Sequence, residues 1–501
     1  MRILLASSEV HPFSKTGGLA DMVGALGKAL AKAGHEARIV TPLYRGILEQ
    51  FPQIRRADWR FDLPLGNKRE QAELFELKIN ERLTIYFIHK PDFYDRAGLY
   101  LENNIGYEDN AARFIFFSKC IVHLARYLPW RPEIVHVHDW QAALVPSLML
   151  HQQHAEGWGN LPKTCLTIHN LAYQGIFTTP EFALTNLPLS YLTIEAAEFF
   201  GHFNCLKAGI AFADAITTVS PRYAREILTE EYGCGLDGLL RKRQNRLVGI
   251  LNGVDYDEWN PQNDAFLIEP FSARKLSGKK LNKIQLQKEV GLPVADAPLF
   301  GTISRLAEQK GVDIQLAALS EMLSADIQFV LLGSGAPAFE RGYLELARRF
   351  PKKVAVHVGY SEKLAHQIEA GCDFYLMPSR FEPSGLNQMY SLRYGTIPVV
   401  RATGGLDDSV VDFTEDAKCA NGIKFREYSA RSLAKGIRKA LALYEQPESL
   451  KRCRQNAMKA DFSWERTVGE YLKIYSSDFS AVQNYCAYPA ERDWQNVAPV
   501  R

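Results

Sequence analysis

Short apolar runs recur along the chain, each stopped by small or polar residues and followed by a longer stretch whose apolar positions return every three or four residues. That pattern predicts strand, loop and helix in repeating order. The first such unit is a strand over residues 2–6, a polar loop, an amphipathic helix over 22–32 ended by Gly34, and a second strand over 37–41. Residues 51–80 are charged and alternating, which predicts a surface hairpin. Further strands are expected at 83–89, 133–140, 164–169, 215–219 and 246–251, with helices over 109–127 and 200–212. A polar, Lys-rich stretch at 263–282 is the best linker candidate, and a helix over 283–290 opens a second series. Its strands are expected at 299–303, 328–332, 354–358, 373–377 and 397–400, before amphipathic helices over 432–444, 449–458 and on to about 476. Alternation in both halves predicts two α/β domains facing across a cleft.

Length and composition narrow the partners. At 501 residues the chain exceeds one ordinary core. A formal net charge of +2 lacks the strongly basic face that nucleic acid requires, and no apolar run is long enough for a membrane span. The N-terminal apolar core is too short for a signal peptide, so a cytoplasmic protein is expected. The eight cysteines are scattered without a C-x-x-C pair, which indicates neither a zinc site nor a disulfide framework.

Candidate chemistry gathers at strand ends. The stretch 373–405 reads as strand, loop and helix, with Glu382 in the loop, an anion-binding helix entry from Gly385, and a second turn, Thr403-Gly404-Gly405, preceded by Arg401. Lys15, Gly17 and Gly18 occupy the first loop, where paired glycines admit a phosphate or sugar to the backbone and the lysine adds charge. Asp21 is either a first-turn acid or an acceptor for a sugar hydroxyl. Tyr94, in the aromatic loop K-P-D-F-Y-D-R-A-G-L-Y, is a candidate cleft residue. Asp139 ends a strand, and His136 and His138 lie two apart on it, so a metal pair is conceivable beside the reading as buried, hydrogen-bonded rings. His169 and Asn170 end the next strand, where an imidazole and an amide suit a cleft that reads hydroxyls. Asp255 and Asp257 have the D-x-D spacing by which some glycosyltransferases bind a divalent ion, within a turn where acids are common anyway. G-S-G-A-P-A at 333–338 fits a loose dinucleotide fingerprint, but Pro337 and the lack of a downstream acid disfavour a nicotinamide cofactor. Arg305 and Lys310, flanking a helix entry after a strand, suit a diphosphate, with a solvated charge pair as the alternative.

Taken in order, K-T-G-G-L-A-D, H-D-W, H-N-L-A-Y-Q-G, L-N-G-V-D, S-R-L-A-E-Q-K-G and S-R-F-E-P-S-G-L-N-Q-M-Y resemble bacterial glycogen synthase and plant starch synthase over nearly the whole chain. The resemblance implies the GT-B architecture, two Rossmann-like domains facing across a deep cleft. An N-terminal domain over 1–251 would carry the acceptor side, one over 252–460 would bind the nucleotide sugar, and residues 461–501 would hold a helix crossing back. It also implies retaining transfer of glucose from ADP-glucose to the non-reducing end of an α-1,4-glucan, with no cofactor and no essential metal. Carried over by motif, Arg305 and Lys310 would hold the diphosphate, and Lys15 with the Gly17-Gly18 turn would lie near the donor. Glu382 and the backbone of Ser384, Gly385 and Leu386 would contact the glucose, and Asp139, His169 and Asn170 would line the reaction centre. Asn252, Tyr360 and Thr403 complete the candidate substrate-binding set. The chain departs from the family in having Ser384 where Cys is frequent, and from related transferases in having Tyr390 where they place a second Glu. The competing readings are a UDP- or GDP-sugar transferase, a phosphorylase-like enzyme with pyridoxal phosphate, and a glucan-binding scaffold without turnover.

Overall fold

The computed structural model describes residues 1–103 and 105–477. Two compact units divide the chain. Unit 1 comprises Met1–Val219, Ala224–Ile250 and the described chain from Thr467 onward, and unit 2 comprises Ser220–Tyr223 and Leu251–Arg466.

Unit 1 is built on a nine-stranded sheet in the spatial order Leu247–Gly249, Ala215–Thr218, Lys163–Ile168, Ile134–His138, Arg2–Ala6, Glu36–Pro42, Leu83–His89, Lys68–Asn80, Arg55–Leu65. The first seven pair in parallel and the last two add antiparallel. Parallel strands are covered on both faces, which is why Ile3, Leu4 and Leu5 are all fully buried although successive side chains point to opposite sides. The hairpin expected at 51–80 forms, and it extends this sheet. Its outer strand, Arg55–Leu65, exposes Asp58, Arg60 and Asp62 on the face opposite buried Phe61 and Leu65, and charge of that kind protects an edge.

Unit 2 has a six-stranded, all-parallel sheet in the order Val354–Val358, Gln328–Gly333, Leu299–Ile303, Phe374–Met377, Ile397–Arg401, Ile423–Phe425. Numbered along its own chain this is 3-2-1-4-5-6, the doubly wound order, and the seven parallel strands of unit 1 begin the same way. In such a sheet the connections leave in opposite directions from strands 1 and 4, opening a crevice at their carboxyl ends. The first loop of each unit and the loop after its fourth strand therefore flank the crevice.

Two elements differ from the sequence reading. The helix expected over 200–212 begins only at Cys205, capped by the Asn204 side chain, which accepts from the Lys207 N–H at 2.9 Å. Phe200 sits in a left-handed turn at φ +50° and His202–Asn204 forms a short strand. The supposed linker is also largely structured. Helix Ser277–Glu289 occupies its second part, and in its first part Asp264 and Phe271 are buried, the former accepting from the Tyr394 hydroxyl at 2.6 Å. Lysines made the stretch look solvated, yet the Lys279 ammonium is itself buried, bonded to the Ala370 carbonyl and the Thr396 hydroxyl. Among the described residues no helix is long and apolar enough to cross a membrane, and the seven described cysteines are free thiols. The tail beyond 477, which its sequence predicts to be irregular and which includes Cys486, lies outside the described residues.

Candidate active site

At the crevice of unit 2, strand Leu299–Ile303 runs into Ser304-Arg305-Leu306, and Lys310 follows at the end of a short 3-10 turn, Glu308–Lys310. Across the switch point, strand Phe374–Met377 runs into Pro378-Ser379-Arg380-Phe381-Glu382. The two loops are locked together by the Arg380 N–H donating to the Gln309 carbonyl at 2.8 Å. Gly311, at φ +70°, lies so close that a Cβ there would meet the Pro378 carbonyl oxygen at 2.1 Å. This contact carries the Lys310 ammonium to Glu382 Oε2 at 2.7 Å, and the Ser379 hydroxyl donates to the same oxygen at 2.9 Å. Both ionic side chains are largely buried, at 19% and 8% exposure, where a charged pair with a third hydrogen bond holds one geometry. Arg305 stays exposed on the same loop.

Behind Glu382 the backbone turns through Ser384, Gly385 at φ +68° and Leu386 into the helix Asn387–Arg393. The turn at Thr403 supports this segment from behind. The Gly405 N–H donates to the carbonyls of Glu382 and Pro383, each at 3.1 Å, and Thr403 is 1% exposed. Arg401, the basic residue that precedes the second turn, has its guanidinium engaged with the backbone carbonyls of Arg380 and Arg426, and the cation beside Glu382 is Lys310. Tyr360, beyond the end of strand Val354–Val358, is 77% exposed, and Asn252 is buried with its side-chain carbonyl unpaired among the described residues.

In unit 1 the loop after the first strand is organised by a residue the sequence reading passed over. The carboxylate of Glu9, 3% exposed, accepts from the Thr16 N–H at 2.5 Å, the Thr16 hydroxyl at 2.6 Å and the Tyr100 hydroxyl at 2.7 Å. Its signal was an acid in the crevice-side loop directly after a buried strand. It fixes Lys15, whose ammonium pairs with Asp21 at 2.8 Å, and Gly17, the residue before helix Gly18–Lys32. A Cβ on Gly17 would meet nothing within 4 Å, so internal packing does not require glycine there.

After the fourth strand Asp139 adopts φ +54°, a left-handed conformation costing a non-glycine residue about 1–2 kcal/mol. Its carboxyl accepts the His169 N–H at 2.7 Å, with the Asn170 N–H a further donor, and so bridges two neighbouring strand ends. Burial pushes that carboxyl up to about 7 despite those two N–H groups. His169 Nε2 lies 3.1 Å from His138 Nδ1, and burial lowers the His169 imidazole to about 3. The Asn170 side chain accepts the Ala172 N–H at 3.1 Å, closing the turn.

One candidate reading is corrected, and two alternatives left open are decided for the non-metal reading. Tyr94 is fully buried and donates to the Arg113 carbonyl at 3.0 Å, so it packs the core and lines no cleft. His136 and His138 are no metal pair, because the two nitrogens of His136 are bonded to the hydroxyls of Tyr475 at 2.7 Å and Thr167 at 2.6 Å. Asp255 accepts the Asp257 N–H at 3.0 Å, the local turn that makes such acids common. The glycines of G-S-G-A-P-A have a packing reason too: a Cβ at Gly333 or Gly335 would meet the carbonyls of Ser304 and Leu306 at 2.1 and 2.4 Å.

Comparison with known proteins agrees with this layout. Residues 2–242 match the starch synthase catalytic domain family and residues 283–460 the group 1 glycosyl transferases. Glycogen synthase of Anaeromyxobacter sp. (strain Fw109-5) is 46% identical over 479 residues, covering 95% of this chain and 99% of that one. Glycogen synthase of Thioalkalivibrio sulfidiphilus (strain HL-EbGR7) is 46% identical over 486 residues, at 95% and 99%. Among solved structures, the catalytic domain of starch synthase IV from Arabidopsis thaliana, bound to ADP and acarbose, superposes with a TM-score of 0.86 at 34% identity, covering 96% of this chain and 99% of that chain. Sucrose-phosphate synthase from Thermosynechococcus elongatus, at 18% identity and a TM-score of 0.61, shares the fold. Two doubly wound domains of this kind are the GT-B architecture, and the chain belongs to the glycogen and starch synthase family of glycosyltransferases.

Proposed function

We propose that the unit 2 cluster binds the diphosphate and glucosyl parts of ADP-glucose and that the unit 1 cluster binds sugar hydroxyls, in a transfer of glucose to the 4-hydroxyl of an α-1,4-glucan. The reaction class, glucosyl transfer as in glycogen synthases, follows from the family. The choice of ADP-glucose leans on the ADP held by the plant relative and on the residues here.

The observation that carries the reading is the Lys310–Glu382 pair beside exposed Arg305 at the switch point of unit 2. A departing nucleoside diphosphate gathers negative charge while C1 of the glucose becomes oxocarbenium-like, so the site needs fixed cations for one partner and a carboxylate for the other. Lys310 and Arg305 serve the first and Glu382 the second. The backbone of Ser384, Gly385 and Leu386 is the expected contact for glucose hydroxyls, with Thr403 backing it. In the transfer, the bond from C1 to the phosphate oxygen breaks and the bond from C1 to the acceptor O4 forms on the same face. The acceptor proton passes to the departing phosphate oxygen, which retains the anomeric configuration without an enzyme base. Asp139 suits a sugar hydroxyl better than nucleophilic attack, because a carboxyl raised to about 7 is only partly ionised near neutrality. Lys15 and the Gly17-Gly18 turn lie where a donor phosphate or sugar approaches backbone, and His169 and Asn170 offer polar edges to the acceptor.

The test is nucleotide release from a panel of ADP-, UDP- and GDP-glucose with and without glycogen, together with the Lys310→Ala and Arg305→Ala variants. ADP release dependent on glycogen is expected, and each variant should lose roughly a hundredfold in turnover, about 3 kcal/mol of charge stabilisation. Wild-type rates in either folded variant would remove the diphosphate assignment.

A further inference from the structure

Packed against Tyr390 of the helix Asn387–Arg393, unit 2 carries a polar group that the transfer does not use. Trp259, in the loop where the chain enters the unit, is stacked between His366 and Tyr390, with ring centroids 3.9 Å from each and planes within 9° and 3°. His366 lies on helix Glu362–Gly371 and is 1% exposed. Its Nδ1 is 2.8 Å from Asp264 Oδ2. Asp264 Oδ2 also accepts from the Tyr394 hydroxyl, so His366 Nδ1 donates to it and Nε2 is the open nitrogen of the ring. That nitrogen is buried and has no hydrogen-bond partner among the described residues.

Two carboxylates converge on the same ring. Glu362 is four residues before His366, hence on the same helix face, and Glu258 comes from the loop beside Trp259. One ligand atom from each of Glu258, Glu362 and His366 lies within 4.8 Å of the other two. A first-turn acid is unremarkable alone, and a buried imidazole can take a water. Here, though, two carboxylates and one open ring nitrogen share a small volume, and a carboxylate orients the histidine from behind, as in zinc sites. Both glutamates are exposed and can close the remaining distance to the roughly 2 Å of zinc coordination.

We infer that His366, Glu362 and Glu258 form a binding site for a divalent cation of the zinc class, distinct from the transfer site and fastening the Trp259 loop to helix Glu362–Gly371. One imidazole with two carboxylates suits zinc better than magnesium, which prefers an all-oxygen shell and keeps its water. The acidic run D-Y-D-E-W thus holds a ligand in Glu258, one residue beyond the D-x-D pair.

The experiment uses the full chain stripped with a chelator and dialysed. Zinc is titrated against a fluorescent zinc indicator, with magnesium as the control, for the wild type and for Glu362→Gln and Glu258→Gln, exposed positions where the neutral isostere leaves the fold intact. Thermal melts follow each titration. The expected result is a stoichiometric zinc in the wild type, weakened at least about tenfold in each variant, and a melting midpoint raised by zinc but not by magnesium. Absence of stoichiometric zinc, or zinc affinity within about twofold of wild type in both variants, would overturn the site.

Discussion

Glu382 and Lys310 are the residues on which the proposed chemistry turns, and substitution at their 2.7 Å contact tests their roles. If Glu382 is needed for its charge beside a forming oxocarbenium, Glu382→Gln should lose two or more orders of magnitude in kcat, nearly as much as Glu382→Ala, about 3 kcal/mol. If it only accepts a glucose hydroxyl, the amide keeps most of the rate; a Gln variant within about threefold of wild type would leave a binding residue. Because the two side chains touch, the Lys310→Ala, Glu382→Gln double variant should fall less than the product of the single effects. The buried histidines make a separate prediction. Burial, with a smaller effect of His169, lowers His136 to about 3. The unfolded imidazole takes its proton near pH 6.5, so as pH falls from there towards 3 the unfolded state binds more protons and stability drops, by about 1.4 kcal/mol per pH unit for each such ring. His138 and His169 act in the same direction, while Asp139, raised to about 7, opposes them between about 4 and 7. Denaturant unfolding of a His136→Gln variant should therefore show a shallower loss of stability below pH 6.5, and an unchanged slope would contradict the neutral buried ring.

Turns decide the outcome at the next scale, and two glycines discriminate packing from function. Gly404 has φ +43°, and a Cβ there would lie 2.0 Å from the Glu382 carbonyl oxygen. Gly404→Ala should therefore lower the melting midpoint and the activity together, because the backbone behind Glu382 must move. At Gly17 the φ of −162° is ordinary extended backbone with open space around it. Gly17→Ala should leave the midpoint unchanged and raise KM for ADP-glucose, since the methyl would intrude where substrate approaches. Unchanged KM would show that nothing comes close there. Strand ends carrying Asp139, His169, Arg305 and Glu382 were legible because buried parallel strands read as apolar runs and stop at polar loops. The start of the helix at Cys205, the support given by Glu9, and the engagement of Arg401 with two carbonyls were not, because each depends on a partner far along the chain or on a cap only the folded turn creates.

The last helix, Trp464–Ser476, begins in unit 2 and ends in unit 1, where Val468, Tyr471, Ile474 and Tyr475 are buried and the Tyr475 hydroxyl meets His136. Burying each such side chain is worth about 1.5–3 kcal/mol, so together they approach the whole stability of a domain. A chain ended at Asp461 should lose cooperative unfolding of unit 1 or fail to stay soluble, and a melt like that of the full chain would contradict this. By itself the sequence determined the alternation of strand and helix in two halves, the loops that hold the candidate residues, and the family, because burial periodicity and short motifs are local properties of the chain. Only the tertiary structure decided that residues 51–80 extend the main sheet, that Tyr94 is core, that the polar stretch at 263–282 is packed, and that Lys310 rather than Arg401 pairs with Glu382. Each of those follows from contacts between residues distant in sequence, and side-chain chemistry alone does not say which partner a charge or a ring will find.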